Sequence, residues 1–474
     1  MADLHTIDRF IRDRARRTPS RVAIDFGGRE VTYAELDARS DELARGLAHG
    51  EVVSTLTGNS SEHVALMFAC AKAGAILHPI SWRLAPAEVA FQLDDAGSSV
   101  FWVEEEHRAL ADAALALAAV SPRTELQPSN SLLQAPADTD GLLLIYTSGT
   151  TGKPKGALLT HANCYWTNLS FDLATGVGGD DVVLACLPQF HCGGWNVQPL
   201  LAWWKGAKVV LERHFEPARA LRLIEEQRVT TMMGVPANYL FMAQEPGFAG
   251  ADLSSLRCCV VGGAPMPVPL LELWRDRGVE IVQGYGLTEA SPNVLCLSPE
   301  DAMRKLGSAG KAYPYVEIDV GPGDELLVRG PNVFPGYWRN PEETAAALVN
   351  GWLHTGDVVD VDEEGYVTIR GRLKEMFISG GENVYPAEIE SVLHDHPRVR
   401  DAAVVGVPDE TWGEVGAAFV VADDAPTEEE LVAFCRERLA RFKVPKSIHF
   451  VDELPRNSLG KIQKSELRVP AVTE

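Results

Sequence analysis

Long apolar runs are missing from this 474-residue chain. None reaches the roughly 18 residues that suggest a membrane span. The opening stretch has no apolar segment either, because Asp3, Asp8, Arg9, Arg12, Asp13, Arg14, Arg16 and Arg17 interrupt it. No secretory leader is therefore expected. Positive charge is scarce: 43 lysines and arginines face 66 aspartates and glutamates, a net charge of −23. Polyphosphate backbones select basic surfaces, so nucleic acid is excluded as a partner. Docking on anionic membranes through a generally basic surface is disfavoured for the same reason. A local basic patch still suffices for an anionic cofactor. Only eight cysteines occur, with no Cys-x-x-Cys pair, and Cys258 and Cys259 are neighbours that do not easily bridge. Zinc is not expected, and the chain reads as cytoplasmic with reduced thiols. There is no internal repeat and no low-complexity segment.

The composition, 46% hydrophobic and 23% charged, is that of a soluble globular protein. The length calls for two or more domains. A helical pattern runs from Tyr33 through Leu36, Leu43 and Leu47. Glu62 to Gly74 is Ala-rich and apolar, a buried helix, and Ala75 to Ile80 reads as a strand. Strand and helix alternate in this way to about residue 290, which predicts an α/β domain with largely parallel sheets. From Tyr313 to Tyr366 short apolar runs (Glu317 to Val320, Glu325 to Val328, Gly365 to Ile369) sit between Gly/Pro turns such as Gly321-Pro322-Gly323-Asp324. A small β-rich subdomain over about 313–370 is expected. The boundary is placed at Gly371-Arg372-Leu373-Lys374. Beyond it the pattern predicts a helix over Pro386 to His394, strands over Asp401 to Val407 and Gly416 to Ala422, a helix over Thr427 to Arg438 and a strand over Ser447 to Phe450.

The most informative stretch is Tyr146-Thr147-Ser148-Gly149-Thr150-Thr151-Gly152-Lys153-Pro154-Lys155-Gly156. Apolar strands flank it, Gly141 to Ile145 before and Ala157 to Leu159 after. Glycine lets backbone N–H groups converge on an anion. Thr147, Ser148, Thr150 and Thr151 add hydroxyl donors, and Lys155 adds charge. This is a phosphate cradle. It is not the usual P-loop, which needs a Gly-Lys-Ser/Thr opening a helix. Here Pro154 and a strand follow the lysine, which opposes a P-loop NTPase.

The loop resembles the signature of the adenylate-forming superfamily of acyl-CoA synthetases, luciferases and adenylation domains. The resemblance continues in family order. Gly284-Tyr285-Gly286-Leu287-Thr288-Glu289 matches the adenine and magnesium motif, and Trp352 to Asp357 the ribose motif. Gly371 to Glu375, with Ile378 to Asn383, matches the hinge and the loop after it. Pro455 to Lys461 matches the C-terminal lysine motif. The chain most resembles the fatty-acyl and aryl-acid CoA ligases. The resemblance implies a large N-terminal domain (1–371) with parallel-type sheets, helices and the β subdomain. A small mobile α+β domain (372–474) follows it.

The implied chemistry has two halves. A carboxylic acid and ATP give acyl-AMP and pyrophosphate; acyl-AMP and coenzyme A then give acyl-CoA and AMP. An anion must approach a polyanion, so cations and donors matter more than a base. By the resemblance, Thr147, Ser148, Gly149, Thr150, Thr151, Gly152 and Lys155 hold the β- and γ-phosphates. Thr288 contacts the α-phosphate or substrate carboxylate, and Glu289 binds Mg²⁺. Tyr285 stacks on adenine beside Gly263, Ala264, Pro265, Gly284 and Gly286. Asp357 and Arg372 hold the ribose. Lys461 bridges the acyl carboxylate and the phosphate during adenylation. The C-terminal domain then turns about Lys374, and Gly380 and Gly381 line the pantetheine tunnel. Lys464 and Arg456 read as surface charges. His191 matches the mouth of the acyl pocket, walled by Gly193, Gly194, Trp195, Val197, Gly263, Gly284 and Gly286. So many small residues suggest room for a bulky aryl or long alkyl group. Two other readings compete with this one: loading of a carrier-protein pantetheine, and a nucleotide-binding regulator without turnover.

Overall fold

The computed structural model describes residues 5–126, 134–147, 154–264, 266–379, 382–409, 411–424, 426–456 and 462–468. The chain divides into two compact units. The first comprises residues 1–266, 270–318 and 328–353, the second 267–269, 319–327 and 354–474.

The first unit holds two large sheets. In the nine-stranded one, Val22–Phe26, Lys208–Leu211, Val182–Ala185, Thr231–Gly234, Cys258–Val261 and Ile281–Gly286 run parallel in that spatial order. Antiparallel strands finish both edges, Arg29–Thr32 on one side and Asn293–Cys296 then Lys311–Ala312 on the other. In the six-stranded sheet, Val100–Val103, Val52–Leu56, Ile76–Pro79 and Gly141–Thr147 are parallel. Lys155–Thr160 and Gly336–Tyr337 add antiparallel pairs. Val52–Leu56 is buried at every position, as a strand covered on both faces must be.

The expected buried helix is Ser61–Ala73. The Ser60 side chain accepts from His63 N at its start, and Gly74, at φ 67°, ends it in the left-handed region. Even Lys72 on this helix is fully buried. Its Nζ lies 2.5 Å from Asp37 and 2.7 Å from Asp41, one turn apart on the helix Tyr33–Ala44. A buried ammonium needs such partners.

One strand departs from the expected subdomain. Gly336–Tyr337 does not join the neighbouring short strands but pairs with Lys155–Thr160, immediately after the phosphate loop. Trp338 fixes it there: its N donates to Gly156 O at 2.7 Å and its Nε1 to Ala96 O at 3.2 Å.

In the second unit, Trp352–Val361 (from His354 on) pairs antiparallel with Val367–Arg372. The turn at Gly321–Asp324 is tight, with Gly323 at φ 71° and Asp324 at φ 58°. The last sheet has the order Glu382–Val384, Phe377–Ser379, Gly413–Ala422, Val399–Asp409, with Ser447–Phe450 parallel to Gly413–Ala422. The helices Pro386–His394 and Glu428–Arg436 pack on it through Ile389, Leu393, Leu431 and Cys435. The two long strands outrun their expected bounds because their ends are polar. There Asp409 Oδ1 accepts from Thr411 N and Trp412 N at 2.9 and 3.0 Å.

Candidate active site

Four adjacent parallel strands of the nine-stranded sheet end on the same side, and their carboxyl ends carry most of the expected nucleotide and acyl residues of the first unit. Ligands of open α/β sheets bind at such ends. Cys258–Val261 leads into Gly262, Gly263 and Ala264. Gly263 has φ +80°, which favours glycine, and lies exposed with Ala264. Ile281–Gly286 brings Gly284, Tyr285 and Gly286 beside them, and a Cβ on Gly262 would come 3.2 Å from Gly284 O. Pro265 lies outside the described residues.

Thr288 and Glu289 follow in a short 3-10 turn, both half-buried. Asn332 pins this turn, donating to Ala290 O at 3.0 Å and to Asn293 O at 2.9 Å. The Tyr337 hydroxyl donates to Glu289 Oε1 at 2.8 Å. Tyr337 was not expected here, since nothing in the sequence ties it to a residue 48 positions away. A carboxylate held this way suits Mg²⁺, a hard cation that takes few protein oxygens alongside phosphate and water.

Thr147 and Lys155 stand opposite each other at the mouth of the phosphate hairpin. Ser148, Gly149, Thr150, Thr151 and Gly152 lie outside the described residues. Lys155 is only 9% exposed. Its ammonium is ion-paired with Glu343 and sits 5.4 Å from the Tyr337 ring centre. Glu343, on the helix Pro341–Ala347, also escaped the sequence reading. Lys155 thus has a carboxylate partner.

Leaving Val182–Ala185, the segment 187–191 is held by a buried scaffold. Asn59 donates to Leu187 O at 2.9 Å and accepts from Gln189 N at 2.8 Å. His63 bonds Gln189 Oε1 and Thr55 Oγ1, each at 3.1 Å. His191 follows. Desolvation, aided by the positive Arg83, pushes its imidazole down to about 4. The ring is neutral at neutral pH.

The expected acyl-wall residues differ in their surroundings. Trp195 is fully buried, donates to Gln189 O at 2.6 Å and packs edge-on to His63 at 5.2 Å. It is packed in the interior. Val197 is likewise buried. A Cβ on Gly194 would meet Pro188 O at 2.3 Å, and one on Gly286 would meet Pro292 O at 1.5 Å. These two glycines allow close backbone approach. Gly193 differs, with nothing closer than 3.6 Å. With Gly194, Leu187, Gln198 and Met233 it lines a narrow cleft of about 10 Å³, room for about one water.

In the second unit, Asp357 and Arg372 come together. Arg372 Nε lies 2.8 Å from Asp357 Oδ1, and its Nη1 donates to Thr355 O at 3.1 Å. Thr355 Oγ1 accepts from Asp357 N at 3.1 Å. Lys374 is exposed in the turn Leu373–Glu375. Gly380, Gly381 and Lys461 lie outside the described residues. Lys464 is no loose surface charge: its Nζ pairs with Glu375 at 2.9 Å and Glu390 at 2.8 Å. Burial works to lower its pKa, but the two carboxylates outweigh burial and raise it. Arg456 is paired with Asp401.

One further acidic cluster, Glu104, Glu106 and His107, has the spacing of a cation site. Arg213 already bonds both glutamates, so a guanidinium supplies the positive charge there.

Comparison with known proteins accords with this geometry. Residues 11–338 match the family model of AMP-binding enzymes, and residues 388–461 that of the AMP-binding enzyme C-terminal domain. The chain is 43% identical to a feruloyl-CoA synthase of Amycolatopsis sp, covering 96% of this chain and 97% of that one. Among solved structures it is similar to the o-succinylbenzoate CoA synthetase of Bacillus subtilis in complex with its acyl-adenylate intermediate. That match has 33% identity, a TM-score of 0.87 and coverage of 98% and 99%. The same enzyme with ATP and a magnesium ion matches at a TM-score of 0.88 and 33% identity, covering 97% and 99%.

Proposed function

This chain belongs to the AMP-binding enzyme family, and from that premise we propose that it joins an aromatic carboxylic acid to coenzyme A. It is an ATP-dependent acid:CoA ligase: acid and ATP give acyl-AMP and pyrophosphate, then coenzyme A displaces AMP. Its substrates are a small-molecule acid, ATP and coenzyme A, with Mg²⁺ as the metal. Among the described residues no helix is long and apolar enough to cross a membrane.

The observation that carries the aromatic reading is the 43% identity to a feruloyl-CoA synthase over 96% of this chain. The feruloyl and o-succinylbenzoate specificities of its relatives support an aryl acid. A fatty acid is the second choice. The relatives form CoA thioesters, which favours free coenzyme A over a carrier-protein pantetheine as acceptor.

In the first unit, Thr147, Lys155 and the phosphate loop hold phosphates, Thr288 holds the α-phosphate or carboxylate, and Glu289 holds Mg²⁺. The ion neutralises phosphate charge. Tyr285, with Gly263, Ala264, Gly284 and Gly286, receives adenine. Neutral His191 guards the acyl mouth and donates or accepts a hydrogen bond without adding charge. In the second unit Asp357 accepts from the ribose hydroxyls and Arg372 fixes it. Lys461 stabilises the first transition state, Lys374 is the hinge, and Gly380 and Gly381 pass the pantetheine. The mobile part begins at residue 372. A cytoplasmic location fits the free cysteines, nearly all of them buried.

The test is product identification by mass spectrometry with ATP, Mg²⁺, coenzyme A and a panel of cinnamic, benzoic, arylacetic and fatty acids. Preferred turnover of an aryl acid is expected. A preference for long-chain fatty acids overturns the aryl reading. AMP release without any CoA thioester overturns the choice of acceptor.

A further inference from the structure

Tyr337 touches two nucleotide motifs at once. Its hydroxyl donates to Glu289 Oε1 at 2.8 Å, and its ring lies 5.4 Å from the Lys155 ammonium. Its own backbone is fixed from two sides. The strand Gly336–Tyr337 pairs with Lys155–Thr160, with Tyr337 opposite Ala157. Tyr337 N donates to Thr344 Oγ1 at 2.9 Å. Glu343, next to Thr344 on the same helix, holds Lys155.

The geometry points to Tyr337 as the positioning residue for the magnesium carboxylate, coupling Glu289 to the phosphate-loop lysine. This role for Tyr337 presupposes Glu289 as the Mg²⁺ ligand. A glutamate side chain has three rotatable bonds, and a half-buried one facing a site samples several rotamers. The phenol restricts it through one oxygen and leaves the second for the cation. Partners of this kind orient a metal ligand, and losing one typically costs 10–100-fold in metal affinity. The ring also packs against the Lys155 ammonium. The carboxylate for the metal and the cation for the phosphates are thus set by one side chain.

Tyr337→Phe keeps the ring and removes only the hydroxyl. ATP binding is measured by calorimetry with and without Mg²⁺, and Mn²⁺ binding to the enzyme–ATP mixture by electron paramagnetic resonance. The expected result is a roughly tenfold loss of Mg²⁺-dependent and Mn²⁺ affinity, with metal-free ATP binding within about twofold. The Glu289→Gln variant should lose the metal's contribution, and adding Tyr337→Phe to it should cost nothing more. Parallel loss of metal-free and metal-loaded ATP binding marks a merely structural role and overturns the proposal. So does unchanged metal affinity, or additive losses in the double variant. Glu289→Asp withdraws the carboxylate from an intact Tyr337. It should show the same metal-specific loss, and metal affinity within twofold of wild type there also overturns the proposal. If metal fails to strengthen ATP binding even in wild type, the reading of Glu289 itself falls.

Discussion

Arg372 Nε lies 2.8 Å from the Asp357 carboxylate, and the two residues face each other across antiparallel strands. The pairing register, not sequence proximity, brings them together. The guanidinium holds one carboxylate oxygen, so the group is aimed before a ligand arrives. Hydrogen bonds to charged groups contribute about 1.5–3 kcal/mol. Asp357→Ala should therefore raise KM for ATP roughly tenfold or more, with a smaller effect on KM for the acid. Steady-state kinetics with each substrate varied separately checks this, and an unchanged KM for ATP contradicts it.

Adjacent glycines should respond oppositely. Gly194→Ala places a Cβ 2.3 Å from Pro188 O, whereas Gly193→Ala meets nothing within 3.6 Å. Overpacking of this kind costs about 1–3 kcal/mol, while Gly193→Ala should change stability by less than about 1 kcal/mol. Thermal midpoints of the two variants decide it, and equal midpoints contradict it.

Lys464→Met should loosen the C-terminal part of the chain. The substitution leaves Glu375 and Glu390 without the ammonium they share. Partial exposure limits the cost to about 1–3 kcal/mol, below that of a fully buried pair. Hydrogen exchange should rise in the helix Pro386–His394 and around Leu373–Glu375. Exchange identical to wild type in both segments contradicts this.

Acid should destabilise the fold before carboxylates titrate. Burial lowers His63 and His161 from the usual 6.5 to about 4. The unfolded chain then binds more protons than the folded one below pH 6.5. Stability is full above that pH and falls as pH drops toward 4, by about 2 kcal/mol per histidine at pH 5. Denaturation midpoints at pH 7.5 and 5 should differ accordingly. His161→Gln should narrow the gap, and an equal gap in the variant contradicts the assignment.

Local patterns carried much of this fold. The helix at Ser61–Ala73 announces itself by its Ala-rich apolar run and by Ser60 and Gly74 at its ends. Pro386–His394 and Ser447–Phe450 lie where periodicity put them. What depends on pairing between distant strands was hidden. Gly336–Tyr337 is too short to show a period and owes its place to Gly156 and Ala96. Tyr337 and Glu343 escaped notice for that reason, as did Asn59 and His63, which hold the segment before His191. Small residues misled for a physical reason too. Glycine serves a ligand cavity and a close backbone crossing equally well, and the sequence does not tell that Gly194 and Gly286 press on neighbouring backbone while Gly193 does not. Trp195 is ambiguous in the same way, since an indole closes a core as readily as it lines a pocket.

The most direct test of the two-step ligase separates its halves in Lys461→Ala. Acid-dependent exchange of labelled pyrophosphate into ATP reads the first half. Conversion of synthetic aryl-adenylate and coenzyme A to thioester reads the second. The exchange should fall by roughly 10²–10³, the usual loss on removing a charge-stabilising donor, while thioester formation stays within a few-fold of wild type. Equal loss in both halves, or exchange that survives without Lys461, contradicts the account.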